Sequence, residues 1–271
     1  MTVLALITAT LYLIATALFV QRIRRGDCAG SGDRLRYIAL SVAALALIGH
    51  GILLYDCLHC DISNSLDLRV VNALSLIMWM TALLIMGSAL RHPVENLGVL
   101  VLPLAALAML LAQFTGGPKV AKPVEPGVDA HILISLIAYS LLTLAALQAL
   151  TLAWQHRALR SRYPNGLVRL LPPLTSVEHL MFSFISVGFG LLTLALLTGF
   201  LFLEDIFAQH LVHKTVLSII AWLIFAGLLI GRQVAGWRGR TAVKWTLTGF
   251  GMLLLAYFGS KIVLEWILGI Y

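Results

Sequence analysis

Residues 2–21, TVLALITATLYLIATALFVQ, carry no charged side chain, and seven further stretches of the chain are nearly as apolar, with Lys214, Lys261 and Glu265 their only charges. A helix rises about 1.5 Å per residue and a bilayer's hydrocarbon core is about 30 Å thick, so roughly 20 mostly apolar residues make one crossing. The chain therefore reads as eight spans, about 2–21, 37–55, 70–90, 97–115, 131–154, 180–203, 214–231 and 245–268. Backbone amides in lipid must find partners within their own segment, which makes the fold class all-α, a polytopic membrane protein of eight transmembrane helices. With 60% hydrophobic and 11% charged residues, the composition excludes a water-soluble domain, where about 25% of residues are charged. The first stretch has neither a basic leader nor a small-residue cleavage site, so it is expected to stay as a span. Short loops and the lack of internal repeats predict a single membrane domain.

The net charge of +7 is a topology signal here, not a nucleic-acid one. The loops after spans one, three, five and seven hold 5, 1, 4 and 4 Lys and Arg residues, a split of 14 against 4 relative to the other three loops when Lys214, at the edge of span seven, is counted with the loop before it. Basic loops stay in the cytoplasm. RIRRGDCAGSGDRLR, QHRALRSRYPNGLVR and RQVAGWRGRTAVK are therefore expected inside, and both termini outside. In the fifth loop, RLLPPLTSVEHLMF sets Leu174, Val177, Leu180 and Met181 at helical spacing. That pattern predicts a short amphipathic helix on the membrane surface before span six. A plain helix start capped by Thr175 or Ser176 accounts for the same residues.

This orientation sorts the histidines. His50, in LALIGHGILLY, lies roughly 7–8 Å below the outer end of span two at 1.5 Å per residue. His131 opens span five at the outer face, and His210 and His213 precede span seven at the same face. Neutral imidazole is an axial ligand for haem iron, and histidines from two helices can clamp a porphyrin. His131, His213, His50 and His210 are therefore the candidate cofactor ligands, with His131 and His213 taking the iron. Wetting by lipid headgroups is the alternative for the three interfacial histidines. For His50, an ionisable group inside a span, it is a helix-to-helix hydrogen bond.

DCLHCD, residues 56–61, sets Cys57 and Cys60 in CxxC spacing in an outer loop. Covalent haem attachment needs a histidine directly after the second cysteine, and Asp61 stands there. A disulfide, a redox pair, metal binding by Cys57, His59 and Cys60, or incidental use stays open. No nucleotide-binding loop and no HExxH motif occurs, and no catalysis is expected. Lys261 and Glu265, at i,i+4 spacing near the outer end of the last span, read as a surface pair.

IAWLIFAGLLIGRQVAGWRGRTAVKWTLTGFGMLLLAYFG, with Trp222, Gly236, Trp237, Arg238, Gly239, Arg240, Gly249, Tyr257, Phe258 and Gly259, resembles the end of the CcsA-type cytochrome c assembly family. RLLPPLTSVEHLMFSFISVGFGLLTLALLTG resembles that family's segment before its tryptophan-rich loop, and HILISLIAYSLL its outer-face histidine motif. VNALSLIMW is similar to the shorter-loop, HemX-like branch. The resemblance implies a multi-pass protein of the bacterial inner membrane that handles haem b. In the haem-exporting members, two outer histidines flank a WWD segment ending in D-P-K-E-T-W, and His131 matches the first of them. At the WWD position this chain reads LEDIFAQHLVHKTVL, without tryptophan. Lys214 keeps the family's register, and His213 stands where the proline would be. The second outer histidine would fall near Leu268 and another near Ile230, and both are replaced.

Two functions follow as expectations. One is a haem-binding accessory protein that holds protohaem near the outer leaflet through His131 with His213 or His50. The other is a structural or regulatory subunit that keeps the fold without the ligand. It would partner another inner-membrane protein, such as an ion-efflux system or a regulator of haem biosynthesis.

Overall fold

In a computed structural model, residues 1–25, 34–58, 65–66, 69–89, 95–115, 122–123, 128–160, 172–202 and 209–259 are described. They form α1 (Thr2–Arg25), α2 (Arg34–Leu58), α3 (Val70–Ala89), α4 (Glu95–Phe114), α5 (Val128–Leu159), α6 (Leu174–Phe202), α7 (Gln209–Ala235) and α8 (Arg240–Leu254). The last continues as a π-helical turn, Leu255–Gly259. All eight are long and apolar enough to cross a membrane once α8 and its π turn are taken together. The protein is a polytopic, all-helical membrane protein.

By contact, residues 1–123 with 161–172 make one compact unit, and 124–160 with 173–271 another. The first holds α1–α4. There α1 packs on α2 and α4, and α3 on α4. Both helices bury small side chains, Ala5, Ala9 and Ala15 on α1 and Ala39, Ala43 and Ala46 on α2. Lipid gives no hydrophobic drive between helices, so close approach through small residues is what supplies the dispersion contact. Strand β1 (Ser65–Leu66) pairs antiparallel with β2 (Lys122–Pro123), so the connections leaving α2 and α4 meet at one end of this unit.

Gly49 marks the tightest point of the α1–α2 contact. A Cβ there would lie 2.5 Å from Thr8 Oγ1, and the stiff β-branched threonine has little freedom to yield. Gly49→Val is expected to lower stability by about 1–3 kcal/mol, read as a lower unfolding temperature in detergent. Adding Thr8→Ala should recover part of that loss, and no recovery would place the strain elsewhere.

In the second unit α5 runs along α6, α7 packs on α8, and α8 also touches α5. Ala138, Leu142, Ala145 and Ala149 of α5 are buried, as are Met181, Phe182, Ile185 and Leu192 of α6. Tyr139 donates to the Leu253 carbonyl at 2.6 Å, tying α5 to α8 just before the helix widens into its π turn.

Two expectations need correction here. α6 is one continuous helix from Leu174, so no separate surface helix precedes the sixth span. The apolar positions of LTSVEHLMF stay in phase with the span that follows, and nothing breaks the helix between them. Its cap is also shifted. Pro173 O accepts the first helical bond, from Val177 N at 3.2 Å, so Thr175 and Ser176 lie inside the first turn. Several helices outrun their predicted spans, α5 by five residues at its C-terminal end, Gln155–Leu159, because polar turns continue a helix beyond the bilayer.

Candidate functional site

His50 is fully buried in the first unit. Its Nδ1 lies 3.1 Å from the Tyr12 hydroxyl of α1, and its Nε2 lies 2.9 Å from Ser75 Oγ of α3. The Tyr12 ring meets the imidazole edge-on, with centroids 5.8 Å apart. One tautomer satisfies both contacts: if Tyr12 donates to Nδ1, then Nε2–H donates to Ser75. The reverse set also closes. A neutral ring thus joins three helices, and a metal bond at either nitrogen requires one of these hydrogen bonds to give way. Nearby, Trp79 donates its indole N–H to the Leu47 carbonyl at 2.9 Å, tying α3 to α2 a second time. A shallow apolar groove of about 410 Å³ opens beside it, floored by Gly51 and Trp79, and no histidine lines it.

His131 is arranged differently. It sits in the first turn of α5, half-buried, with Nδ1 2.9 Å from the Ala195 carbonyl and 3.2 Å from Thr198 Oγ1, both on α6. A carbonyl oxygen only accepts, so Nδ1 must carry the proton. That fixes the tautomer and leaves the Nε2 lone pair as the free end of the ring. A backbone carbonyl holding the far nitrogen is the device that orients metal-ligating histidines and raises their basicity. α6 and α7 are joined on the same unit by Trp222, whose Nε1 donates to Thr193 Oγ1 at 2.9 Å. The Trp222 ring stacks on Phe189 at 5.5 Å.

His210 and His213 fall in the first two turns of α7, and their side chains lie outside the described residues. So do the side chains of Cys57 and Cys60, and Lys261, Glu265 and Leu268. Among the described residues, no group of three or more His, Cys, Asp or Glu side chains could hold a metal ion. What His131 itself offers a ligand is a single nitrogen, Nε2.

The family profile described as "Cytochrome C assembly protein" matches residues 39–268. This chain belongs to the cytochrome c assembly protein family. It is 35% identical over 270 residues to the inner membrane protein YpjD of Escherichia coli K12, covering 97% of this chain and 98% of that one. It is 37% identical over 219 residues to a 28.8 kDa protein from the nifR3-like 5′ region of Azospirillum brasilense, covering 78% of each. The cytochrome c biogenesis protein CcsA of Synechococcus elongatus is more distant, 27% identical over 90 residues, which cover 32% of this chain and 28% of that protein. No solved structure matches significantly.

Within this family assignment, sequence reasoning singled out His50 and His131 but missed their partners Tyr12, Ser75, Thr198 and Ala195. Tyr12 and Ser75 did leave a signal, as polar groups within apolar runs, though they share it with Thr8, Thr10, Asn72 and Thr81. Ala195 left none, since a backbone carbonyl looks the same everywhere in a sequence.

Proposed function

We propose that this chain is a haem-binding accessory protein of the bacterial inner membrane, with His131 as an axial ligand through Nε2. The observation that carries this reading is the Nδ1–H bond of His131 to the Ala195 carbonyl, which presents the other nitrogen unprotonated. The positive-inside pattern puts that end of α5 on the outer side. His210 and His213, opening α7, are the candidates that would hold the group together with His131. Bound haem would supply iron that takes up ligands or changes oxidation state. The chain's part is to fix one imidazole's tautomer and direction. The tryptophan-free stretch before α7 favours a protein that holds haem over one that delivers it to an apocytochrome. The relation to YpjD, named as an inner membrane protein, supports the location.

The test is an absorption spectrum of the purified protein, oxidised and dithionite-reduced, with haem counted per chain. Near-stoichiometric protohaem with a bis-histidine spectrum is expected. A protein that stays colourless after reconstitution with haemin overturns the reading. The engaged nitrogens of His50 favour the second reading, a membrane subunit whose polar core is purely structural. That reading expects a partner protein to co-purify in mild detergent whether or not haem is present.

A further inference from the structure

The connection between α7 and α8 in the second unit is fixed from several directions. Gly236 and Gly239 take positive φ, 64° and 57°, a backbone region that side chains with a Cβ rarely adopt. Between them Trp237 N–H donates to the Gly231 carbonyl at 3.1 Å. The Trp237 ring also lies so close over Gly231 that no Cβ fits there. Trp245 of α8 packs on the other ring, with centroids 4.8 Å apart. Gly239 N–H donates to Glu178 Oε1 of α6 at 3.0 Å. Arg232 is pinned with its guanidinium 3.7 Å from the centre of the Phe182 ring.

This rigid turn presents cations. Arg238 and Arg240 are exposed, as is Lys244 one turn into α8. Arg232, Arg238, Arg240 and Lys244 stand on this one turn and its two flanks, where like charges repel. None of the four basic residues has an ion-pair partner among the described residues. Glu178, the carboxylate that meets this turn, accepts from the backbone of Gly239. An anion placed here would relieve the repulsion, and guanidinium forks match phosphate oxygens two at a time.

We propose that this turn binds the phosphate of an anionic phospholipid, held by Arg238 and Arg240 with the Trp237–Trp245 pair beside it. The membrane position selects a lipid over a soluble anion. The apolar run of α7 ends within a few residues of Arg232, and that of α8 resumes at Ala242, so the turn lies at the hydrocarbon boundary. Paired indoles at that depth are interfacial anchors. Basic clusters at the cytoplasmic ends of spans recognise anionic headgroups.

Native mass spectrometry of the full-length protein in detergent tests this, with dioleoylphosphatidylglycerol and dioleoylphosphatidylcholine as probes. Phosphatidylglycerol should be retained in preference to phosphatidylcholine. Arg238→Ala and Arg240→Ala should each weaken it about fivefold, and Arg25→Ala, an exposed basic residue on α1, should leave it unchanged. Equal retention of both lipids overturns the proposal. So does an equal loss in Arg25→Ala, which would mean diffuse charge attraction. Displacement of the lipid by millimolar inorganic phosphate also overturns it, by making the site one for a soluble anion. Haem content does not enter any of these readouts.

Discussion

Replacing His131 with glycine is expected to remove the Soret band, and millimolar imidazole is expected to bring it back. The expectation rests on the ring's polarity. Nδ1 is committed to Ala195 and Thr198 on α6, so everything the residue offers a ligand passes through Nε2. Removing only an outer-shell partner of a metal ligand typically costs about 10–100-fold in affinity. Losing the ligand itself should lower haem per chain by roughly tenfold or more. Imidazole added to the glycine variant can occupy the vacated space and offer the same nitrogen. Restoration would therefore show that the ring is the ligand and not a support for the fold. A Soret band unchanged in the glycine variant would sink the assignment of His131. A band lost in the variant and not restored by imidazole, with the unfolding temperature also lowered, would point to a packing role.

Thr198 separates the two roles further. Its hydroxyl already donates within α6, with the Leu194 and Ala195 carbonyls at 2.9 Å and 3.0 Å. Towards His131 it can only accept. Thr198→Val removes that second acceptor and leaves the Ala195 carbonyl, so the tautomer is kept. Haem content should hold, with at most a small shift of the reduced spectrum.

The eight spans were legible because a bilayer demands length and apolarity and little else, and both are properties of a sequence window. Helix ends were less so. α5 runs on to Leu159 through Gln155, His156 and Arg157, polar residues that a span count stops before. α6 begins at Leu174 because the PP pair at 172–173 ends the preceding segment, and Thr175 and Ser176 simply follow inside the first turn. At the candidate site the two histidines could be picked out, and their chemistry could not. His50 and His131 are each one polar residue in an apolar setting. What separates them is that His50 meets two hydroxyls on two other helices, while His131 meets a carbonyl. Those neighbours come from the packing of α1 with α2, α2 with α3 and α5 with α6, which periodicity does not specify. The same holds for Glu178, whose role does not follow from its place in the segment. It is the acceptor that holds Gly239.

His50→Leu should destabilise the first unit without touching haem, and a cycle with Tyr12→Phe should locate the loss. Leucine fills much of the imidazole's volume, so the main effect is electrostatic. The Tyr12 hydroxyl, in a fully buried residue, loses its hydrogen-bond partner on α2, and so does Ser75. Leaving a buried polar group unsatisfied costs about 1–3 kcal/mol. The two losses are unequal, though. A serine in a helix can turn back onto the carbonyl four residues earlier, as Ser140 does with Leu136 at 2.8 Å. A tyrosine hydroxyl, far from its own backbone, cannot. The net loss should therefore come mainly from Tyr12 and sit near 2 kcal/mol. For a chain of this length that is a fall of about 4–8 °C in unfolding temperature. Tyr12→Phe in the His50→Leu background should then cost less than in the native chain. The coupling between them should be about 0.6 kcal/mol, the average for polar pairs between membrane helices, and should not exceed about 1.7 kcal/mol, the largest such value. A coupling near zero would mean that the 3.1 Å contact carries no energy. If His50→Leu instead removes the haem and leaves the unfolding temperature alone, His50 is the ligand, and its bonds to Tyr12 and Ser75 are the ones that give way when haem binds.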